Sequence, residues 1–134
     1  VAVSRICLDT SAYSRFKSGH PRAVELIDGA DWVGLPTVAV GELWTGFLQG
    51  HHTDRNVAEL RAFLAHPAVR EIPVDLEVAR TYAEIVADLR RAGTPLPTND
   101  VWIAASAASV GATVLSFDSH FESIRRVGSV ILTP

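Results

Sequence analysis

The 134 residues include no methionine, one cysteine and one lysine. A lone thiol closes no internal disulfide, so the fold owes nothing to an oxidising compartment and the cytoplasm is the expected location. Cys7 lies in an apolar, strand-like run, which suits core filler rather than a nucleophile. With methionine missing altogether, one or more residues are expected ahead of Val1. The single lysine, Lys17, sits early in the chain. A phospho-accepting receiver domain would want a lysine after a late strand, and a P-loop enzyme would want one closing a Gly-rich loop; neither is present. Long apolar runs are also missing: Arg, Asp, Glu or His breaks each one short of a membrane span. No basic stretch followed by an apolar core and a small-residue cleavage site opens the chain.

What is present belongs to a folded protein. Hydrophobic residues make up 48% and charged residues 20%, which argues against disorder and for a single domain over residues 1–134. The formal charge of −3 speaks weakly against a nucleic-acid partner. That objection shrinks if four of the 15 acids are neutralised by a bound ion, leaving 12 Arg and Lys against 11.

Strand-like and helical segments alternate. Strands are predicted at Val3–Leu8, Asp31–Leu35, Val69–Val74, Ala112–Phe117 and Val130–Leu132. Helices are predicted at Ser11–Ser18, Pro21–Gly29, Pro36–Gln49, Thr53–Ala65 with Thr53 or Asp54 as cap, Asp75–Ala92 and Asn99–Val110 capped by Thr98. The clearest helix carries the stripe Val78, Tyr82, Ile85, Val86 and Leu89 and stops before Gly93. This alternation implies an α/β fold: a mainly parallel sheet of about five strands, covered on both faces. In such sheets ligands collect at the carboxyl ends of the strands.

Four acids sit where ordinary surface is a poor explanation. Asp9 and Asp118 follow the strand-like runs Ile6-Cys7-Leu8 and Val114-Leu115-Ser116-Phe117. Glu42 lies within the apolar stretch Pro36 to Leu48, flanked at helical spacing by the mostly small Val38, Ala39, Thr45 and Gly46. Asp100 opens the apolar segment Val101 to Val110. Taken singly, Asp100 reads as a helix-start acid and Asp118 as a turn acid. Converging, the four would repel one another, and a divalent cation is the simplest remedy. Without Cys or paired-His ligands nearby, Mg²⁺ or Mn²⁺ is expected, pointing to a metal-dependent phosphodiester hydrolase.

The segments Leu8-Asp9-Thr10-Ser11-Ala12, Val40-Gly41-Glu42-Leu43, Pro97 to Ala105 and Leu115 to Phe121 resemble the PIN-domain family, more narrowly its VapC toxins. Together they cover nearly the whole chain in the family's order. The third and fourth are the specific ones, and the fourth often carries Thr where this chain has Ser116. The resemblance implies a three-layer α/β/α fold and a Mg²⁺- or Mn²⁺-dependent endoribonuclease acting on RNA. Asp9, Glu42, Asp100 and Asp118 would be its catalytic acids, with Asp9, Asp100 and Asp118 on the metal. Thr10, Ser11, Thr98 and Asn99 would be supporting positions. It also implies a homodimer neutralised by a cognate antitoxin protein.

Other residues have plainer readings. His51-His52 follow a helix-ending glycine and read as a solvated loop, while His120, close to Asp118, is a candidate phosphate contact. Trp32, Trp44 and Trp102 could stack bases but lie in apolar contexts. Trp44, Phe47 and Leu48 are candidates for a partner-accepting groove. The competing functions are a structure-specific DNA nuclease using the same acids, and a non-catalytic phospho-receiver or binding module.

Overall fold

A computed structural model describes residues 4–134. Five strands, β1 (Arg5–Leu8), β2 (Trp32–Pro36), β3 (Val69–Ile72), β4 (Thr113–Ser116) and β5 (Ser129–Ile131), form one sheet in the order β3-β2-β1-β4-β5. Every pairing is parallel, with Ile6 beside Val33 and Cys7 beside Val114. Six helices cover it: α1 (Thr10–Lys17), α2 (Pro21–Gly29), α3 (Thr37–Gln49), α4 (Thr53–Leu64), α5 (Leu76–Ala92) and α6 (Thr98–Ser109). The result is the expected three-layer α/β/α arrangement. The predicted strand start at Val3 lies outside the described residues.

The central strands are apolar on both faces because helices cover both. Cys7, Leu8 and Val114 have no exposed surface, and Ile6 and Leu115 keep at most 2%. On α6, Val101, Ile103 and the run Ala104-Ala105-Ser106-Ala107 are buried, and these small side chains let the helix lie close to β2 and β4. Trp102 stacks on Tyr82 of α5 with ring centroids 3.7 Å apart, and the Arg5 guanidinium lies 4.1 Å from the Trp32 ring. Both tryptophans are therefore engaged within the fold. Trp44 is half-buried against the core.

Local chemistry explains most boundaries. Asp75 caps α5 by accepting a hydrogen bond from the Val78 N–H at 2.9 Å, and Gly93 ends that helix at φ 70°. Two predicted caps are corrected. His52, not Thr53 or Asp54, precedes α4, and the Thr53 hydroxyl instead donates to the Phe47 carbonyl at 2.7 Å. Pro97 occupies the cap position of α6, so Thr98 falls inside the helix. β3 stops at Ile72, short of the predicted Val74, because Pro73 has no N–H to continue the ladder. A 3-10 helix, Ser119–Ser123, was not anticipated.

The topology prepares one location for chemistry. From β1 the chain winds outward through β2 to β3, then crosses back to lay β4 on the other side of β1. The winding direction reverses between β1 and β4, and a crevice opens above their carboxyl ends. Asp9 and Asp118 follow those two strands.

Candidate active site

Asp9 ends β1 and begins α1 in one step. As N-cap of α1 it accepts hydrogen bonds at Oδ1 from the Ala12 N–H (2.8 Å) and the Ser11 hydroxyl (2.7 Å). The Ser116 hydroxyl, at the end of β4, donates to Oδ2 at 2.5 Å. Asp9 retains only 5% exposure. Its carboxyl is held above the usual carboxylate range: burial outweighs the three hydrogen bonds, and the Asp100 charge adds to the rise. The same hydroxyls lock the strand exits together, since Ser11 Oγ accepts from the Phe117 N–H (3.1 Å) and Ser116 Oγ from the Asp118 N–H (2.8 Å).

Asp118 caps the 3-10 helix, accepting the His120 N–H at 2.9 Å. This tight turn swings the His120 ring back over the crevice. Its Nδ1 lies 2.9 Å from Asp100 Oδ2 and 3.1 Å from Asp118 Oδ1. Asp100 stands in the first turn of α6, its side chain 18% exposed against 41% for Asp118, so the crevice opens on the Asp118 side. Burial raises the Asp100 carboxyl above its usual range, with Asp118 and Glu42 adding and His120 opposing. The Asp100 hydrogen bond raises His120 in turn.

Glu42 reaches in from α3. Its Oε1 accepts from the Thr10 hydroxyl at 2.6 Å and its Oε2 from the Asn99 side-chain amide at 3.2 Å. All four sequence-predicted acids thus meet at one place, delivered by the ends of β1 and β4 and by α3 and α6. Thr10, Ser11 and Asn99 hold them. Thr98, expected among the supporting positions, makes no side-chain hydrogen bond to the acids among the described residues. His51 and His52 are exposed, as a solvated loop should be.

Two residues do more at the site than the sequence implies. In the sequence Ser116 is only a hydroxyl in place of the usual Thr; in the fold it ties Asp9 to the end of β4. His120 was read as a phosphate contact, and its ring is instead shared by two carboxylates. The only signals available were a hydroxyl and an imidazole each two residues from Asp118.

The donor set is one of hard oxygens and a single imidazole. The nearest thiol, Cys7, is fully buried, and burial together with Asp9 pushes its pKa far up. Asp9 and Asp100 are raised chiefly by burial, with neighbouring carboxylates adding a smaller share. Each carboxylate oxygen that accepts one hydrogen bond still has a lone pair for a cation. These residues fit a hard divalent ion such as Mg²⁺ or Mn²⁺.

Comparison with known proteins identifies the family and the fold. Ribonuclease VapC5 of Mycobacterium tuberculosis (strain ATCC 25618 / H37Rv) is 32% identical over 123 residues, covering 92% of this chain and 90% of that protein. The crystal structure of VapBC-5 from Mycobacterium tuberculosis, a member of the VapBC family of toxin-antitoxin systems, superposes with a TM-score of 0.70 at 29% identity, covering 94% of this chain and 97% of its counterpart. DNA-bound VapBC from Salmonella typhimurium, at 24% identity, shares the fold with a TM-score of 0.83 over 95% and 97% of the two chains. The family model of the PIN domain matches residues 6–127, and with the fold and the four-acid crevice in place the chain belongs to the PIN-domain family.

Proposed function

We propose that this protein is a divalent-cation-dependent endoribonuclease of the VapC type, acting in the cytoplasm and held inactive by a cognate antitoxin. The observation that carries the reading is the convergence of Asp9, Glu42, Asp100 and Asp118 at the β1/β4 switch point. It is supported by the relationship to proteins named as ribonucleases and as parts of toxin-antitoxin complexes.

In this reading Asp9, Asp100 and Asp118 hold the ion, Mg²⁺ or Mn²⁺. Once bound, a divalent cation would acidify water and offset the negative charge that grows on the phosphoryl oxygens. The protein's part is positioning. Ser11, Ser116 and the Ala12 N–H fix the Asp9 carboxylate before any substrate arrives, so no reorganisation is needed during the reaction. Glu42 stands outside the metal set, and Thr10 and Asn99 fix both its oxygens. It is placed to orient the attacking water and accept its proton. Attack on phosphorus breaks the bond to the 3′-oxygen, leaving a 5′-phosphate and a 3′-hydroxyl.

The partner surface is read from α3, where Leu48 is 66% exposed and Trp44 and Phe47 are only half-buried. We assign this apolar end of α3 to association, as a homodimer and with the antitoxin. A cleavage assay tests the function: the purified protein should cut RNA with Mg²⁺ or Mn²⁺, stop in EDTA, and leave single-stranded and flap DNA intact. Preferential cutting of DNA would favour the structure-specific DNA nuclease, and no cutting under any condition would favour a binding module.

A further inference from the structure

His120 brings a nitrogen to a place where the four-acid reading has only oxygen. Its Nδ1 has room for one hydrogen, yet it lies 2.9 Å from Asp100 Oδ2 and 3.1 Å from Asp118 Oδ1. One hydrogen can point squarely at only one of the two carboxylates and is otherwise shared between them. Asp100 Oδ1 and Asp118 Oδ2 carry no hydrogen bond among the described residues. One atom each from Asp100, Asp118 and His120 lies within 4.8 Å of the others. An octahedral cation with ligands at about 2.1 Å holds neighbouring ligands about 3.0 Å apart. The two nitrogen–oxygen separations are edges of that length. Phosphate binding, the role read from sequence, would require the ring to turn away from both acids.

We propose that His120 is a direct ligand of the divalent ion, through Nδ1, beside Asp100 and Asp118, and that it tilts the site toward Mn²⁺ over Mg²⁺. The inference rests on the divalent-cation reading above and adds a residue and a selectivity to it. The selectivity follows from ligand chemistry. Mg²⁺ takes oxygen almost exclusively, whereas an imidazole nitrogen strengthens binding of first-row transition ions. The ring is already in place: the His120 N–H bond to Asp118 sets the turn, and no further backbone movement is needed to present Nδ1 to the crevice. Its half-exposed position also lets the side chain be replaced with little cost to the core.

Electron spin echo spectroscopy of the Mn²⁺-loaded protein tests this without any cleavage reaction. The expected spectrum contains modulation from one directly coordinated nitrogen, altered when histidine is supplied with ¹⁵N and lost in His120→Gln. Calorimetry on the same pair should show Mn²⁺ affinity falling by about tenfold or more in His120→Gln, the least that losing even an outer partner costs. Mg²⁺ affinity should change much less. Mn²⁺ held by oxygen alone, nitrogen modulation surviving in His120→Gln, or an unchanged Mn²⁺/Mg²⁺ ratio would each overturn the role of His120 while leaving the acid site standing. Failure of the wild-type protein to bind Mn²⁺ at all would instead overturn the cation reading on which the inference depends.

Discussion

The Ser116 hydroxyl donates to Asp9 Oδ2 at 2.5 Å across 107 positions of sequence. This contact joins the ends of the two central strands at the point where the sheet reverses its winding. Ser116 has no exposed surface and Asp9 almost none, so water cannot take over if the hydroxyl is lost. Removing it strands a buried carboxylate oxygen, at a cost of about 1–3 kcal/mol. Ser116→Ala should lower the urea midpoint accordingly with an unchanged slope. Ser116→Thr, which keeps the hydroxyl, should recover most of the loss. Equal stability of all three proteins would mean that the contact does not anchor Asp9.

Three groups of the crevice bind protons more tightly in the folded chain than in the unfolded one. Asp9 and Asp100 are raised chiefly by burial, and His120 by its hydrogen bond to Asp100. A raised pKa contributes stability in full below the unfolded value, and that contribution is lost as pH climbs through the folded value. For the carboxyls the loss begins near pH 4 and for the imidazole above about pH 6.5. The metal-free protein should therefore melt at a lower temperature at about pH 7.5 than at about pH 5. Mg²⁺ should raise the midpoint more at the higher pH, where no protons compete with it. Asp9→Asn keeps the size of the side chain and removes one charge. It should flatten the pH dependence, fold normally and respond less to Mg²⁺. A metal-free midpoint that rises with pH would contradict the charge balance described for the site.

The exposed end of α3 makes a separate prediction about assembly. Light scattering should give the mass of a dimer, and Leu48→Asp should shift it toward the monomer while leaving the circular dichroism spectrum intact. A wild-type monomer at high concentration, with Trp44 and Phe47 shielded from quenchers, would remove the assignment of this surface.

How much of this could be read from the chain follows from the range of the interactions. The apolar runs Ile6-Cys7-Leu8 and Val114-Leu115 declared central strands because both sheet faces are covered. Pro21 and Gly93 mark helix ends through their own backbone chemistry, whereas Asp75, expected as the first residue of its helix, is the cap before it. Glu42 was legible because small residues surround it on α3. The caps at Thr53 and Thr98 were misplaced because neighbouring segments decided them: the Phe47 carbonyl claims the Thr53 hydroxyl, and Pro97 takes the position before Thr98. The 3-10 turn and the sharing of His120 between Asp100 and Asp118 depend on how α6 sits against the exit of β4. No local pattern encodes that distance. The acids were therefore visible in the sequence, and the groups that hold and bridge them mostly were not.

Under the proposed function the four acids run a metal-dependent hydrolysis, and the chemistry of the cut ends reports whether they do. A ribonuclease that uses the RNA's own 2′-hydroxyl leaves a 2′,3′-cyclic phosphate, whereas attack by water leaves a 5′-phosphate and a 3′-hydroxyl. RNA cut by the purified protein in Mn²⁺ should yield downstream fragments that ligate through a 5′-phosphate without kinase treatment. Asp100→Ala, folded by circular dichroism, should yield none. Fragments ending in 2′,3′-cyclic phosphate, or undiminished cutting in EDTA, would mean that the four acids are not the catalytic centre.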